Sequence, residues 1–181
     1  VELNISCPNV EDRGKMFSHT PASTYEVVQA TSQIKTPRWA KLSPNVTNLV
    51  EIANAAKEAG ADGVTLINTV MGMVIDIDKR RPLLGAGGGG LSGPAIRPVA
   101  IRSVFDVYSA MPDFPLVGVG GVASAKDVVE FLMAGASAVQ IGSANFANPR
   151  VSSKIIADLA QWCKANDFES IGAIKGLAHK S

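Results

Sequence analysis

The segment AGADGV, residues 59–64, recurs almost unchanged as AGASAV at residues 134–139. Each copy joins the end of a predicted helix to the start of a predicted strand, and in each a glycine follows the helix. The two helices are predicted over residues 47–59 and 124–134. Because a repeated helix–glycine–strand join is typical of serial αβ units, the sequence predicts an α/β fold.

Short runs rich in Val, Ile and Leu predict the strands of this fold. They lie at residues 1–6, 38–42, 63–67, 115–119 and 137–141. Continuous apolar strands are typical of a parallel sheet that is buried on both faces. Two parallel architectures accommodate them: an open doubly wound sheet, or part of an eight-stranded (β/α)8 barrel.

Two further helices are predicted, over residues 95–110 and 151–165. The second places Cys163 on the same stripe as apolar residues, which indicates a cysteine buried in the core. No composition break separates the elements, so we expect residues 1–181 to belong to a single domain.

Composition and charge exclude several classes of protein. With 46% hydrophobic residues and a formal charge of +1, the chain is globular and lacks the basic runs of a nucleic-acid binder. No stretch has the length of a membrane span or the order of a signal peptide. The two cysteines form no disulfide framework, and no Cys/His spacing around His19 or His179 suits zinc. We expect a cytoplasmic protein without a metal site.

Polar, reactive and glycine residues gather where the predicted strands end. These clusters are Asn4 to Asn9, Lys41 to Asn45, Asn68-Thr69, Gly118 to Gly121, and Gly142 to Asn145. In a parallel barrel the carboxyl ends of all strands open onto one face, where active sites form. The pattern therefore predicts one shared pocket.

Several of these residues have a definite chemical interpretation. Lys41 either snorkels from its strand end or places a fixed cation beside an electron-rich ring or a phosphate. Asn68 and Thr69 suit the amide-like edge of a substrate. Gly120-Gly121 and Gly142-Ser143 precede predicted helix starts, and their backbone N–H groups favour a phosphate cradle over simple tight turns.

The glycine-rich segment GAGGGG, residues 85–90, contains a literal GxGxxG. A dinucleotide site needs a buried strand directly before that motif, whereas the preceding residues are charged and interrupted by Pro82. We interpret the segment as a mobile active-site loop. Residues 71–84 ahead of it predict a short hairpin on the same rim.

Cys7 ends the first predicted strand among the polar residues Asn4 and Asn9, and Pro8 turns the backbone there. A buried structural cysteine and a partly solvated thiol that acts as base or nucleophile are both consistent with this position. His19 is distant from Cys7 in the sequence, so Cys7 has no evident histidine partner. Proton abstraction assisted by a cofactor is therefore favoured over cysteine-protease chemistry.

Longer segments resemble the FMN-containing catalytic subunit of the dihydroorotate dehydrogenase family. They are ELNISCPNV, KLSPNVT, GADGVTLINTVMGMVIDI, GGLSGPAIRPVA and VGVGGVASAKDVVEFLMAGASAVQIGSANF. NTVMGMVIDI and ANFANP are more similar to the two-subunit, NAD-linked class 1B than to the fumarate-linked class 1A. The resemblance implies a (β/α)8 barrel, of which this chain matches the part from about strand 4 to the C-terminus. Because the chain also begins without Met, we expect a piece of a longer protein.

The resemblance also implies flavin-dependent oxidation of (S)-dihydroorotate to orotate in pyrimidine biosynthesis. Cys7 would remove the C5 proton while hydride passes from C6 to FMN. The substrate contacts implied are Asn4, Asn68 and Thr69. The cofactor contacts implied are Asn4, Lys41, Ile67, Gly93, Gly120, Gly121, Gly142 and Ser143. The expected partners are an electron-transfer subunit with FAD and a 2Fe-2S cluster, in a homodimer or heterotetramer of the parent protein.

This sequence departs from the family in the segment before GGLSG, where the family usually has an Asn and a Thr or similar polar residues. Extra glycine predicts a looser loop. Two alternatives remain open. One is an FMN-dependent dehydrogenase of another dihydropyrimidine, such as dihydrouracil; the other is a non-catalytic half-barrel with two unpaired sheet edges.

Overall fold

The computed structural model describes residues 1–7 and 16–180. The strands are β1 Glu2–Asn4, β2 Trp39–Leu42, β3 Gly63–Leu66, β4 Val70–Gly72, β5 Ile75–Asp76, β6 Arg81–Pro82, β7 Gly89–Leu91, β8 Leu116–Val119 and β9 Ala138–Gln140. The helices are α1 Pro21–Gln29, α2 Leu49–Glu58, α3 Arg97–Ala110, α4 Ala125–Met133, α5 Ala144–Ala147 and α6 Val151–Ala165. The predicted turn at Pro8 and Asn9 lies outside the described residues.

Five strands form one parallel sheet in the order β1-β2-β3-β8-β9. This order follows the chain, whereas a doubly wound sheet reverses its strand order at a switch point. Successive helices also contact each other, in the pairs α1–α2, α2–α3, α3–α4 and α4–α6. The open doubly wound alternative is thus excluded, and the prediction of a partial (β/α)8 barrel is confirmed.

The sheet is strongly curved, as one hydrogen bond between its two outermost strands demonstrates. Gln140 Nε2 on β9 donates to Glu2 Oε2 on β1 at 2.9 Å. In a flat sheet four strand spacings would separate these strands by about 19 Å. Their side chains can meet only because the sheet bends into part of a cylinder, with Glu2 and Gln140 pointing into its lumen.

The core lies between the convex face of the sheet and the helices. Strand residues that alternate with the lumen-facing positions are fully buried there, namely Ala40, Leu42, Val64, Leu66 and Leu116. Each large apolar side chain buried in this way contributes about 1.5–3 kcal/mol. Packing is close at Gly118 of β8, where an added Cβ would lie 2.3 Å from the buried ring of Phe131 on α4.

The two repeated helix–glycine–strand joins have the same geometry. Gly60 and Gly135 adopt φ values of +88° and +116°, which glycine reaches without the steric cost of a Cβ. In both joins the next residue turns back onto the helix: Ala61 N donates to Ala56 O and Ala136 N to Phe131 O, each at 3.0 Å. The repeat in sequence therefore encodes one turn that is used twice.

Helix α1 was absent from the predicted elements. Its first turn is capped: Thr20 Oγ1 accepts from Ser23 N at 3.2 Å, and Pro21 occupies the first helical turn. The helix buries Thr24 and Val28. A polar stretch before Thr20 concealed the start of this helix in the sequence.

Arg38 connects the first two helices to the sheet from a largely buried position just before β2. Its guanidinium donates to Val28 O at 3.0 Å, to Thr31 Oγ1 at 3.1 Å and to Gly60 O. Its backbone N–H donates to Asp62 Oδ2 at 2.8 Å. Because a buried cation is costly unless it is hydrogen-bonded, these acceptors explain how it is tolerated.

The predicted hairpin within residues 71–84 is confirmed by the antiparallel pair β5–β6. The glycine-rich segment differs from the loop that we expected. Gly89–Leu91 forms strand β7, which pairs antiparallel with β4. Glycine is depleted in strands, so its composition gave no strand signal.

The other predicted helices are confirmed within a few residues, and Cys163 is 8% exposed in the core as expected. The capping box at α4 is also present: Ser124 N donates to Asp127 Oδ2 at 2.9 Å and Asp127 N to Ser124 Oγ at 3.3 Å. Among the described residues, no helix has both the length and the apolar character needed to cross a membrane.

We predict that Gly118→Ala lowers the free energy of unfolding by about 1–3 kcal/mol, because the new methyl group overlaps the Phe131 ring. Urea unfolding followed by tryptophan fluorescence measures the change. Gly85→Ala is the matched control, since nothing lies within 4 Å of an added Cβ there. Equal stability of the two variants would contradict the close packing of β8 on α4.

Candidate functional site

A cleft of ≈ 160 Å³ lies at the carboxyl ends of β2, β3, β8 and β9. It is lined by Lys41, Ile67, Asn68, Thr69, Ser92, Gly93, Ile96, Val119, Gly120, Gly121, Gly142 and Ser143. Every lining residue is part of a strand's carboxyl end or of the segment that follows it. This is the face on which barrel proteins bind their ligands.

Asn68 is held at the mouth of the cleft by both ends of its side-chain amide. Its Nδ2 donates to Ser6 Oγ at 2.9 Å, to Ser6 O at 3.1 Å and to Asn4 Oδ1 at 3.3 Å. Its Oδ1 accepts from Thr69 N at 2.7 Å. These bonds join the end of β1 to the end of β3 and fix the orientation of the amide.

The β4–β7 pair forms a two-stranded ribbon that packs directly against the cleft residue Thr69. An added Cβ on Gly90 would lie 2.1 Å from Thr69 Oγ1, so only glycine permits this approach. Asn45 supports the same segment: its Nδ2 donates to Thr69 O at 3.0 Å and its Oδ1 accepts from Met71 N at 2.9 Å. Part of the glycine-rich segment is therefore required for packing.

Glycines form the wall of the cleft opposite Lys41. Gly93, Gly120 and Gly121 have φ values of +87°, +138° and +73°, a region that favours glycine. A Cβ on Gly121 would also lie 2.8 Å from Gly93 O. Gly142 differs, since an added Cβ there meets nothing within 4 Å, which agrees with its facing the open cleft. The wall therefore presents backbone to the cleft.

Beneath the cleft, the lumen contains a charged network centred on Glu2. The Glu2 carboxylate accepts from Thr65 Oγ1 at 2.8 Å and from Gln140 Nε2 at 2.9 Å, and lies 3.4 Å from Lys41 Nζ. Burial raises the pKa of the Glu2 carboxyl, but the bonds from Gln140 and Thr65 and the charge of Lys41 outweigh it, so the pKa is below its ordinary value. Glu2 is thus held as a carboxylate.

The structure brings most of the predicted site residues together. Nine of them line the cleft: Lys41, Ile67, Asn68, Thr69, Gly93, Gly120, Gly121, Gly142 and Ser143. Asn4 borders it through its hydrogen bond with Asn68. Cys7 is not among the lining residues; it is half-buried and follows Ser6, which accepts from Asn68.

Sequence reasoning missed Glu2, Thr65 and Gln140 as a group. Each appeared to be an ordinary residue of an apolar strand, and only the register of the sheet places them together. Ser6 and Asn45 were noticed only as members of polar clusters. Among the described residues, no group of three or more His, Cys, Asp or Glu side chains is placed to hold a metal ion.

A curved parallel sheet in chain order, with helices outside and a cleft at the carboxyl ends, defines a protein of the (β/α)-barrel class. The sequence model of one family, described as dihydroorotate dehydrogenase, matches residues 1–162. The chain belongs to the dihydroorotate dehydrogenase family.

Two curated relatives are named dihydroorotate dehydrogenase B (NAD(+)), catalytic subunit. The protein from Desulforudis audaxviator is 50% identical over 100% of this chain and 59% of its own length. The protein from Parabacteroides distasonis is 48% identical over 97% of this chain and 58% of its own length. The chain thus spans about three fifths of the length of these relatives.

A solved structure has the same fold. It is the crystal structure of DHODH in complex with ferulenol from Eimeria tenella, with a TM-score of 0.81. The alignment covers 99% of this chain and 54% of that chain, at 20% sequence identity. At this identity the similarity establishes the fold alone.

We predict that Asn68→Asp lowers the free energy of unfolding by about 1–3 kcal/mol, because it replaces the donor of three hydrogen bonds by an acceptor. Asn148→Asp is the matched control, since within residues 1–7 and 16–180 the Asn148 side chain uses only its Oδ1, which accepts from Arg150 N. Urea unfolding at pH 7 compares the two variants. If Asn68→Asp and Asn148→Asp have the same midpoint, Asn68 does not fix the strand ends as described.

Proposed function

We propose that the chain contributes the FMN-binding part of a dihydroorotate dehydrogenase active site, which oxidises (S)-dihydroorotate to orotate in pyrimidine biosynthesis. The observation that carries the proposal is the cleft itself. Five separate sequence segments contribute residues that match the family pattern. These residues line or border one concave surface. Family membership and the names of the curated relatives support the same activity.

The residues of the cleft fit FMN by their chemistry. The wall of Gly93, Gly120, Gly121 and Gly142 consists of backbone without side chains. Backbone amide groups of this kind suit a phosphate. Lys41, at the opposite side, supplies a cation for the electron-rich edge of the ring system. Ile67 offers an apolar contact between them.

The substrate belongs on the side of the cleft nearest β1. Asn4, Asn68 and Thr69 provide the amide and hydroxyl groups that a pyrimidine ring and its carboxylate need. The bonds to Ser6 hold the Asn68 amide in place before a ligand arrives. A pre-oriented amide reduces the entropic cost of binding.

In the proposed reaction Cys7 is the base that takes the proton from C5 of dihydroorotate. The cleft residues would hold FMN, which would supply the hydride-accepting chemistry at C6, so that loss of the C5 proton and the C6 hydride leaves the C5–C6 double bond of orotate. Cys7 directly follows Ser6, the residue that anchors the Asn68 amide, so the thiol belongs to the same edge of the site. General-base assistance of this kind contributes about 10²–10⁴-fold to a rate.

The relatives are catalytic subunits of an NAD(+)-type enzyme, and their name implies a separate subunit for electron transfer. We propose that such a partner, with FAD and a 2Fe-2S cluster, reoxidises the flavin in a dimeric or heterotetrameric parent. A cytoplasmic location is part of the proposal. The unpaired state of Cys7 and Cys163 agrees with a reducing compartment.

We predict that Gly142→Val weakens FMN binding at least about tenfold without changing the unfolding midpoint, because the side chain has room in the fold but enters the cleft. Quenching of flavin fluorescence measures the dissociation constant. Gly85→Val has equal free space outside the cleft and should leave FMN binding unchanged. Unaltered FMN binding by Gly142→Val would argue against this wall as the cofactor site.

We predict that Cys7→Ser slows the anaerobic reduction of bound FMN by dihydroorotate about 10²–10⁴-fold at pH 7–8, because a serine hydroxyl is too weak a base. FMN affinity should stay the same. Stopped-flow absorbance measures the reduction, and Cys163→Ala, in the core, is the control cysteine. A Cys7→Ser rate equal to that of the unaltered chain would remove Cys7 from the reaction.

The same purified chain distinguishes the proposed function from the two alternatives, another dihydropyrimidine as substrate and a non-catalytic half-barrel. Faster reduction by dihydrouracil than by dihydroorotate would favour another dihydropyrimidine. The half-barrel alternative is favoured by one observation: within residues 1–7 and 16–180, the outer edges of β1 and β9 have no strand partner. Purified chain that retains no FMN would support a non-catalytic piece, and stoichiometric FMN would count against it.

A further inference from the structure

We infer that Glu2 is a positioning residue: its carboxylate holds the Lys41 ammonium at the floor of the cleft, and thereby sets where the cation meets the ring of the bound cofactor. The inference rests on the proposed function for the identity of the ligand. The contact between Glu2 and Lys41 is seen in the structure and does not depend on the identity of the ligand.

The orientation of Glu2 does not depend on Lys41. Thr65 Oγ1 and Gln140 Nε2 both donate to Glu2 Oε2, from β3 and β9. The other carboxylate oxygen, Oε1, is thereby turned toward Lys41 Nζ on the adjacent strand, at 3.4 Å. Two neutral donors therefore fix the anion, and the anion in turn fixes the flexible lysine.

Lys41 needs such a restraint because its side chain has many rotamers, and ordering them costs conformational entropy. The side chain is 22% exposed, so the fold does not enclose it completely. Glu2 is the charged group that lies within 4 Å of Lys41 Nζ among the described residues. A ligand that meets a preordered ammonium avoids most of the entropic cost.

The composition of the lumen supports a role in the site rather than in packing. Barrel interiors are normally filled by layers of bulky branched residues. Here the residues in contact beneath the cleft are Glu2, Lys41, Thr65 and Gln140. The ion pair in this network adds little to stability, because a partly exposed pair is weakened by solvent screening. The main effect of the network is to fix the position of Lys41.

The first test needs no ligand. Acetylation of lysines by a low concentration of acetic anhydride, read by mass spectrometry, should be about two- to fivefold faster at Lys41 in Glu2→Gln than in the unaltered chain. Lys154, paired with Asp158, is the internal control and should react at the same rate in both proteins. An unchanged Lys41 rate overturns the inference.

The second test is a double-mutant cycle on FMN affinity. Glu2→Gln should weaken FMN binding about fivefold when Lys41 is present and less than about twofold in the Lys41→Met background, because Glu2 acts through that lysine. A purely structural role for Glu2 would give the same loss in both backgrounds, which overturns the inference. Asp158→Asn, which breaks a more exposed ion pair on α6, away from the cleft, should not change FMN affinity.

The two tests separate this inference from the proposed function. If the unaltered chain fails to bind FMN, the flavin site is wrong, and the acetylation result alone decides whether Glu2 positions Lys41. If FMN binds and the cycle is additive, the flavin site stands and the positioning role of Glu2 is wrong.

Discussion

The curvature of the parallel sheet is the constraint on which the rest of the structure depends. The hydrogen bond from Gln140 to Glu2 connects strands that would be about 19 Å apart in a flat sheet, so it exists only in the bent form. Bending turns one face of every strand inward and the other toward the helices. It also gathers the carboxyl ends of the strands on one rim, where the cleft lies.

The two faces of the sheet have different functions, and their packing reflects this. Outside, Leu66 and Leu116 are fully buried, and Gly118 lets the Phe131 ring approach the strand. Inside, Glu2 and Thr65 form polar contacts under the cleft. Stability therefore comes mainly from the convex face, while the concave face is free to carry chemistry. A single strand can therefore contribute one face to the core and the other face to the site.

Much of the fold could be predicted because its signals are local. Apolar runs marked the five sheet strands, and the joins at Gly60 and Gly135 marked the ends of two helices. Family motifs selected the residues of the cleft. What could not be predicted depends on contacts distant in sequence: Glu2 and Gln140 are 138 residues apart. Strand β7 was missed because the partner that stabilises its glycines, β4, is defined only by pairing.

The order of the strands also has a consequence for how the chain reaches this structure. Each strand of the main sheet pairs with the strand that precedes it in that sheet, so assembly can proceed one βα unit at a time. Every step closes a loop of modest length, and the entropic cost of closure grows only slowly with loop size. The contact between Glu2 and Gln140 is the exception and can form only after all five strands are in place. A chain without β9 would therefore retain the pairing of β1, β2, β3 and β8 but could not form this contact across the lumen.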